Sequence, residues 1–255
     1  VGRLAYHKGT HTAIEALADR DYRAAGDAYT RAGRAALADP RGADGPDPFA
    51  PDEKGWVGRG LQYLCVAAVA YRVAGLDSRA TYRAVEGAAA ARDLRTVWAE
   101  PVQRACLTEF VGDFHVAGGL SGANDVYEDA AERYEAAAPD DPMTWATTPL
   151  FEAANAVIQQ VARGPANGEI AVQWDDLHGP DPNDPGSYLA HRATYKARRF
   201  PSLVATVVEE GYLAAPRGTT EYDNATYRCP ACGSTDVNWT GGSVLCLRCS
   251  ARVAE

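Results

Sequence analysis

Four cysteines near the C-terminus constrain this chain more than any other feature. They stand as Cys229-Pro-Ala-Cys232 and Cys246-Leu-Arg-Cys249, with thirteen residues between the pairs. A Cys-x2-Cys pair sits on a tight turn, and two such turns joined by a short hairpin can aim four thiolates tetrahedrally at one metal ion. A segment of about thirty residues buries too little apolar surface to fold alone, and metal binding supplies the deficit. The expectation is one structural Zn2+ held by Cys229, Cys232, Cys246 and Cys249. A closed four-thiolate shell offers no open position to water or substrate, so such a metal holds a fold and does not catalyse. Disulfides, disfavoured in a reducing compartment, and iron bound by the same thiolates are the alternatives.

Cys229-Pro-Ala-Cys232-Gly233 resembles the first knuckle of a zinc ribbon, with alternation through Asp236 to Thr240 and Thr-Gly-Gly-Ser at the bend supplying two strands. Zinc ribbons occur in transcription factors, polymerase subunits, ribosomal proteins and enzyme appendages, so the resemblance does not choose a partner. Arg228, Arg248, Arg252, Tyr227 and Trp239 could meet phosphates and bases. Equally, Tyr227 and Trp239 could be the ribbon's own small core. The other two cysteines, Cys65 and Cys106, lie alone in apolar helical surroundings and read as small buried hydrophobes.

Upstream the chain reads as helices. Tyr22, Ala25, Tyr29 and Ala32 are repeated in type and spacing by Tyr127, Ala130, Tyr134 and Ala137, an offset of 105 residues. Steps of three and four put each set on one helical stripe, where small Ala admits a neighbouring helix and Tyr fills the gaps. Both copies precede an acidic-Pro stop, Asp39-Pro40 and Asp141-Pro142. The segment from Asp21 to Ala32 resembles the second helix of a tetratricopeptide repeat, and the offset equals three periods of about 35 residues. The resemblance covers roughly residues 4 to 163 and implies stacked helix hairpins with a concave groove for a partner segment.

Between the copies, Gly55 to Ala74 and Ser78 to Thr96 form a second hairpin turning at Gly75, with Ser78 as candidate N-cap. Pro101 to Ala117 is a further helix, broken at Gly118-Gly119, and Pro142 to Arg163 a seventh that covers the open end of the stack. The Pro/Gly/Asp stretch from Asp39 to Gly55 interrupts regular spacing and favours an irregular array. Glu169 to Trp174 could be a short strand. Helices follow at Ser187 to Arg199 and Ser202 to Leu213, separated by Pro201.

The net charge is -9, from 34 acidic and 25 basic side chains, of which only three are Lys. An Asp-rich, Lys-poor, Ala-rich composition resembles proteins of archaea that keep molar salt in the cytoplasm, where repulsion is screened within ~3 Å. Overall acidity then says little against a nucleic-acid partner, and local patches carry the information. One acid-free basic run stands out: Arg192, Lys196, Arg198 and Arg199, with Arg192 and Lys196 on one face at i, i+4. It could hold phosphates or an acidic protein surface, or pair with Asp175, Asp176, Asp181 and Asp184 just upstream. That acidic loop, with His178, lacks the ligand spacing of a calcium loop and reads as solvated. His7, His11 and Glu15 share a helical face without a second metal motif.

No phosphate loop, nucleophile elbow or His-Glu-x-x-His is present, and Asp113 and His115 near Cys106 point apart on a helix. No apolar run reaches the ~18 residues of a membrane helix. A basic, apolar, small-residue leader is also lacking, and together these give an expectation of a cytoplasmic protein. The expected architecture is mainly α: an irregular antiparallel helix-hairpin solenoid over residues 1–163, an acidic loop and two helices over 164–213, a linker at 214–224, and a small β zinc ribbon at 225–255. The expected role is a non-enzymatic protein-interaction adaptor. The alternative is a nucleic-acid- or ribosome-associated factor binding through the ribbon and the 192–199 helix, and a third is an enzyme subunit.

Overall fold

The computed structural model describes residues 2–38, 55–98, 100–164 and 166–253, with side chains from residue 9 onward. Helices α1 (Gly2–Ala18), α2 (Tyr22–Leu37), α3 (Gly55–Val73), α4 (Asp77–Val97), α5 (Pro101–Gly118) and α6 (Ala123–Ala137) follow one another, each packed on the next. Then come short α7 (Pro142–Ala146), α8 (Pro149–Arg163), a 3-10 turn at Asp175–Leu177 and the long α9 (Pro185–Glu209). Strands β1 (Thr219–Glu221), β2 (Val237–Thr240) and β3 (Ser243–Cys246) form one antiparallel sheet in that order. The fold is mainly helical with a small C-terminal sheet. Among the described residues no helix is long and apolar enough to cross a membrane.

The tyrosine–alanine stripes do what their spacing demands. Tyr22, Ala25, Tyr29 and Ala32 are buried on α2, and Tyr127, Ala130 and Tyr134 are buried on α6, with Ala137 half-buried at the helix end. Asp21 caps α2 by accepting from the Ala24 amide at 2.9 Å, and Asp141 caps α7 by accepting from the Thr144 amide at 2.9 Å. Glycines set two of the turns. Gly75 (φ +70) and Gly119 (φ +67) take the left-handed conformation, and the amides after them reach back to Tyr71 O at 2.8 Å and His115 O at 2.8 Å. Six-to-one bonds of this kind close a helix C-terminus, and a Cβ would strain either position. The Asp39-Pro40 stop and the stretch through residue 54 lie outside the described residues.

Several expectations are corrected. The α4 N-cap is Leu76, with no side-chain capping bond, and Ser78 lies inside the first turn. The seventh helix is two, because Thr148 is extended and Pro149 opens α8. Residues 169–174 form turns and bends, not a strand. Pro201 does not divide two helices. It sits inside the single α9, whose buried Phe200, Leu203, Val204 and Val207 continue one apolar face past it. Packing of that face outweighs the lost backbone bond. Finally, the expected linker contains β1, which pairs with β2 so that Thr219 faces Trp239.

Most consequential for function is where α8 and α9 lie. Helix α5 packs on α3, α4 and α6, and α8 and α9 each rest on both α3 and α5. The face that α3 and α5 share is therefore covered by the chain's own C-terminal helices.

Candidate metal centre and the buried ion network

The metal centre grows out of the hairpin. Gly233 (φ +76) closes the first knuckle, with its amide on Cys229 O at 2.9 Å, and the Ser250 amide closes the second on Cys246 O at 3.0 Å. The β2–β3 register places Val237 opposite Cys246 and so brings the two knuckles together. The sulfurs of Cys229 and Cys249 are 3.6 Å apart, those of Cys232 and Cys246 3.5 Å, and those of Cys232 and Cys249 3.6 Å. All four lie within 4.8 Å of one another, the only group of its kind among the described residues. Disulfide sulfurs would stand ~2.05 Å apart. Four sulfurs at ~2.3 Å from a common tetrahedral centre would be about 3.8 Å apart, so the cage fits a metal ion. A hydrogen bond with Cys249 and then burial raise the pKa of Cys246, and burial raises that of Cys232.

The ribbon is built into the helical body. Arg163, at the end of α8, is 2% exposed and donates to Gly168 O at 3.3 Å, to Ala215 O and to Leu247 O at 3.4 Å. It meets only carbonyls, and burial lowers its pKa to about 10. Ser250 Oγ accepts from the Ala215 amide at 3.0 Å, and buried Asn238 spans Gly218 N at 2.8 Å and Pro216 O at 3.0 Å. Arg248, expected as a partner contact, instead joins Asp236 at 2.7 Å and Glu169. Arg252 clasps Asp19, in the turn just after α1, at 2.9 and 3.0 Å. Trp239 is 38% exposed and meets Tyr227 edge-on at 5.5 Å, so it is partly the ribbon's own packing and partly surface. Arg228 is exposed and donates to Gly233 O at 3.1 Å.

The expected basic stripe divides. Arg198 and Arg199 are exposed, but Arg192 and Lys196 are fully buried and cannot present charge to a partner. Nor do they pair with the acidic loop. Arg192 Nε meets Glu109 Oε2 at 2.8 Å and stacks over Phe151 at 4.8 Å. Lys196 Nζ meets Glu109 Oε1 at 2.7 Å, Asp113 Oδ2 at 2.7 Å and Ala154 O at 2.8 Å, which satisfies its three donors. Two i, i+4 pairs of opposite sign, one on α5 and one on α9, face each other. The α6 stripe completes them: Tyr127 OH donates to Asp113 at 2.7 Å and Tyr134 OH to Glu109 at 2.7 Å.

Burial would raise both carboxyls. For Glu109 the charges of Arg192 and Lys196 outweigh it and hold the pKa down at about 2. For Asp113 burial wins, aided by the negative Glu109, and the pKa rises to about 6. Cys106 beside them is pushed up to about 12 and Cys65 well above its usual value, both by burial first. Neither thiol is a ready nucleophile. His115 points elsewhere, its Nδ1 2.8 Å from Ser121 O.

The remaining metal candidates do not assemble. His178 is buried between Trp174 and Tyr188, ring centroids at 4.0 and 5.2 Å, and burial lowers its pKa to about 4. Asp176, Asp181 and Asp184 each accept a nearby backbone amide and fix the loop. His11 pairs with Glu15 at 3.2 Å, and the His7 side chain lies outside the described residues. Sequence reasoning missed Glu109, Arg163 and the acidic partners of α9. The i, i+4 match between Glu109/Asp113 and Arg192/Lys196 was the signal available.

Neither a family model, a curated protein nor a solved structure matches this chain.

Proposed function

We propose that this chain is a non-enzymatic interaction protein, a helical adaptor of tetratricopeptide-like ancestry whose C-terminal ribbon is locked by one structural Zn2+ on Cys229, Cys232, Cys246 and Cys249. The observation that carries the proposal is the closed cage of four sulfurs, all within 4.8 Å of one another, on a ribbon pinned to the body through buried Arg163. Such a shell suits a redox-inert, tetrahedral ion and leaves no ligand position for chemistry. A reducing cytoplasm keeps the four thiols available to it. Glu109, Asp113, Arg192 and Lys196 neutralise one another inside the helical core, which supports scaffolding over catalysis.

The contact surface lies outside the α3/α5 face, since α8 and α9 fill it. Helix α4 offers Tyr82, Val85 and Val97, exposed by 72%, 51% and 63%. The nucleic-acid alternative loses three of its expected contacts, with Arg192 and Lys196 buried and Arg248 paired.

Elemental analysis of the purified protein should give one zinc per chain and no iron. Stripping it with a strong chelator, or Cys249→Ser, should strip protection from the amides of β2, β3 and the Arg163 contacts in hydrogen exchange, while α2 to α6 keep theirs. Iron at one per chain, or full ribbon protection without metal, would overturn the structural-zinc role. A Tyr82→Ser/Val85→Ser double variant that retains every partner recovered by the parent protein from native lysate would overturn the α4 contact surface.

A further inference from the structure

Four guanidinium groups converge on one surface hollow with only two carboxylates to meet them. Arg31 and Arg34 come from α2, Arg79 and Arg83 from α4, and a hollow of about 310 Å³ lies between them. Glu86 takes Arg34 through both oxygens at 2.8 and 3.0 Å and also touches Arg83. Asp27 takes Arg79 at 3.0 Å and the Tyr71 hydroxyl at 2.7 Å. Both carboxylates are engaged, and the hollow keeps a formal excess of two positive charges on a chain whose net charge is -9. The Arg83 side chain is only 12% exposed, and its Nε finds no acceptor among the described residues.

We propose that this hollow is a binding subsite for a small dianionic phosphate, either inorganic phosphate or a phosphate monoester. A phosphoryl group carries about -1.5 to -2 charge at neutral pH and several acceptor oxygens, which matches the excess charge and the unmet donor. A carboxylate ligand would leave one positive charge unmatched. Guanidinium forks are suited to two-point contact with phosphate oxygens, and the Arg83 N–H, left unmet in a largely desolvated position, gains most from an acceptor. The hollow is at the small end of ligand pockets, roughly 300–1,000 Å³, and so admits a phosphoryl group with a compact substituent against Tyr82.

Calorimetric titration of the full chain with inorganic phosphate and with phenyl phosphate, at fixed ionic strength and pH 7.5, tests the site. One saturable phosphate per chain is expected, with Arg31→Gln and Arg83→Gln each weakening it about tenfold and Arg198→Gln leaving it unchanged. Affinity should fall toward pH 5.5 as the ligand loses its second charge. Tighter binding of phenyl phosphate assigns the site to esters, and tighter binding of inorganic phosphate to the free anion. Acetate binding as well as phosphate, an equal loss in Arg198→Gln, or heat only with a single-stranded oligonucleotide would overturn the proposal.

Discussion

Two groups of basic side chains place their charge in opposite ways. In the core, Arg192 and Lys196 are wholly buried, and each ends on a carboxylate presented at matching spacing by α5. Between α2 and α4, four arginines line one surface hollow with two carboxylates, which pair with Arg34, Arg79 and Arg83. The first arrangement is neutral by construction, because an uncompensated charge at zero exposure would cost several kcal/mol. Water tolerates the excess in the second. The paired buried charges join α5 to α9, whereas the surface charges keep donors within reach of a ligand. A run of bases in the sequence carries no label saying which it will be.

The sharpest way to break that contrast is to remove one buried base. Lys196→Met keeps the volume and deletes the group that meets Glu109, Asp113 and Ala154 O, leaving Glu109 on Arg192 and Asp113 with the Tyr127 hydroxyl and no cation. A loss of about 3–5 kcal/mol in denaturant unfolding is expected, the scale for an orphaned buried partner. Adding Asp113→Asn to Lys196→Met should recover part of it, since the stranded charge goes too. A loss under ~1 kcal/mol would mean that water reaches the network and that it does not set the α5–α9 pairing.

A smaller effect separates the two carboxyls by pH. Asp113 has a folded pKa near 6, above its ordinary 3.8, so ionising it costs more in the folded protein. Its contribution is fully present below about pH 4 and is lost as the pH rises through about 6. Glu109 runs the other way: with a folded pKa near 2 against 4.5, its contribution is present above about 4.5 and lost on acidification. Asp113→Asn removes only the first. The stability of the variant relative to the parent should therefore climb between about pH 4 and 6 and level off above. A flat difference across that window would show that Asp113 titrates normally and is not desolvated.

These charges also show how much of the structure was legible beforehand. Local codes survived: the tyrosine stripes, the Gly75 and Gly119 turns and the Cys-x2-Cys spacing each act within a turn or two of backbone. Features decided by distant packing did not. Pro201 looked like a helix boundary until Phe200 and Leu203 were seen to share one buried face, and β1 looked like a linker because its strand partner lies some twenty residues on. Arg192 and Lys196 looked exposed because their partners, Glu109 and Asp113, are 83 positions away. Arg31, Arg34, Arg79 and Arg83 drew no notice, since two ordinary helices carry them and only the fold makes them one cluster.

The smallest expected effect has the opposite sign to the largest. Arg83 is disfavoured as a cation first by burial and then by the nearby Arg34 charge, and its pKa is lowered accordingly. Its acidic neighbour Glu86 is already held at two points by Arg34, so deleting the Arg83 charge strands no partner. Arg83→Gln should therefore leave stability unchanged within about 0.5 kcal/mol or raise it slightly, and added salt, which screens the repulsion, should erase any gain. Unfolding midpoints of the parent and the variant at low and high salt are the measurement. A clear destabilisation at low salt would mean that Arg83 is a structural partner of Glu86, placing the surface cluster in the same class as the buried one. A neutral or stabilising result would mark four converging arginines as a cost the fold carries for something other than its own stability.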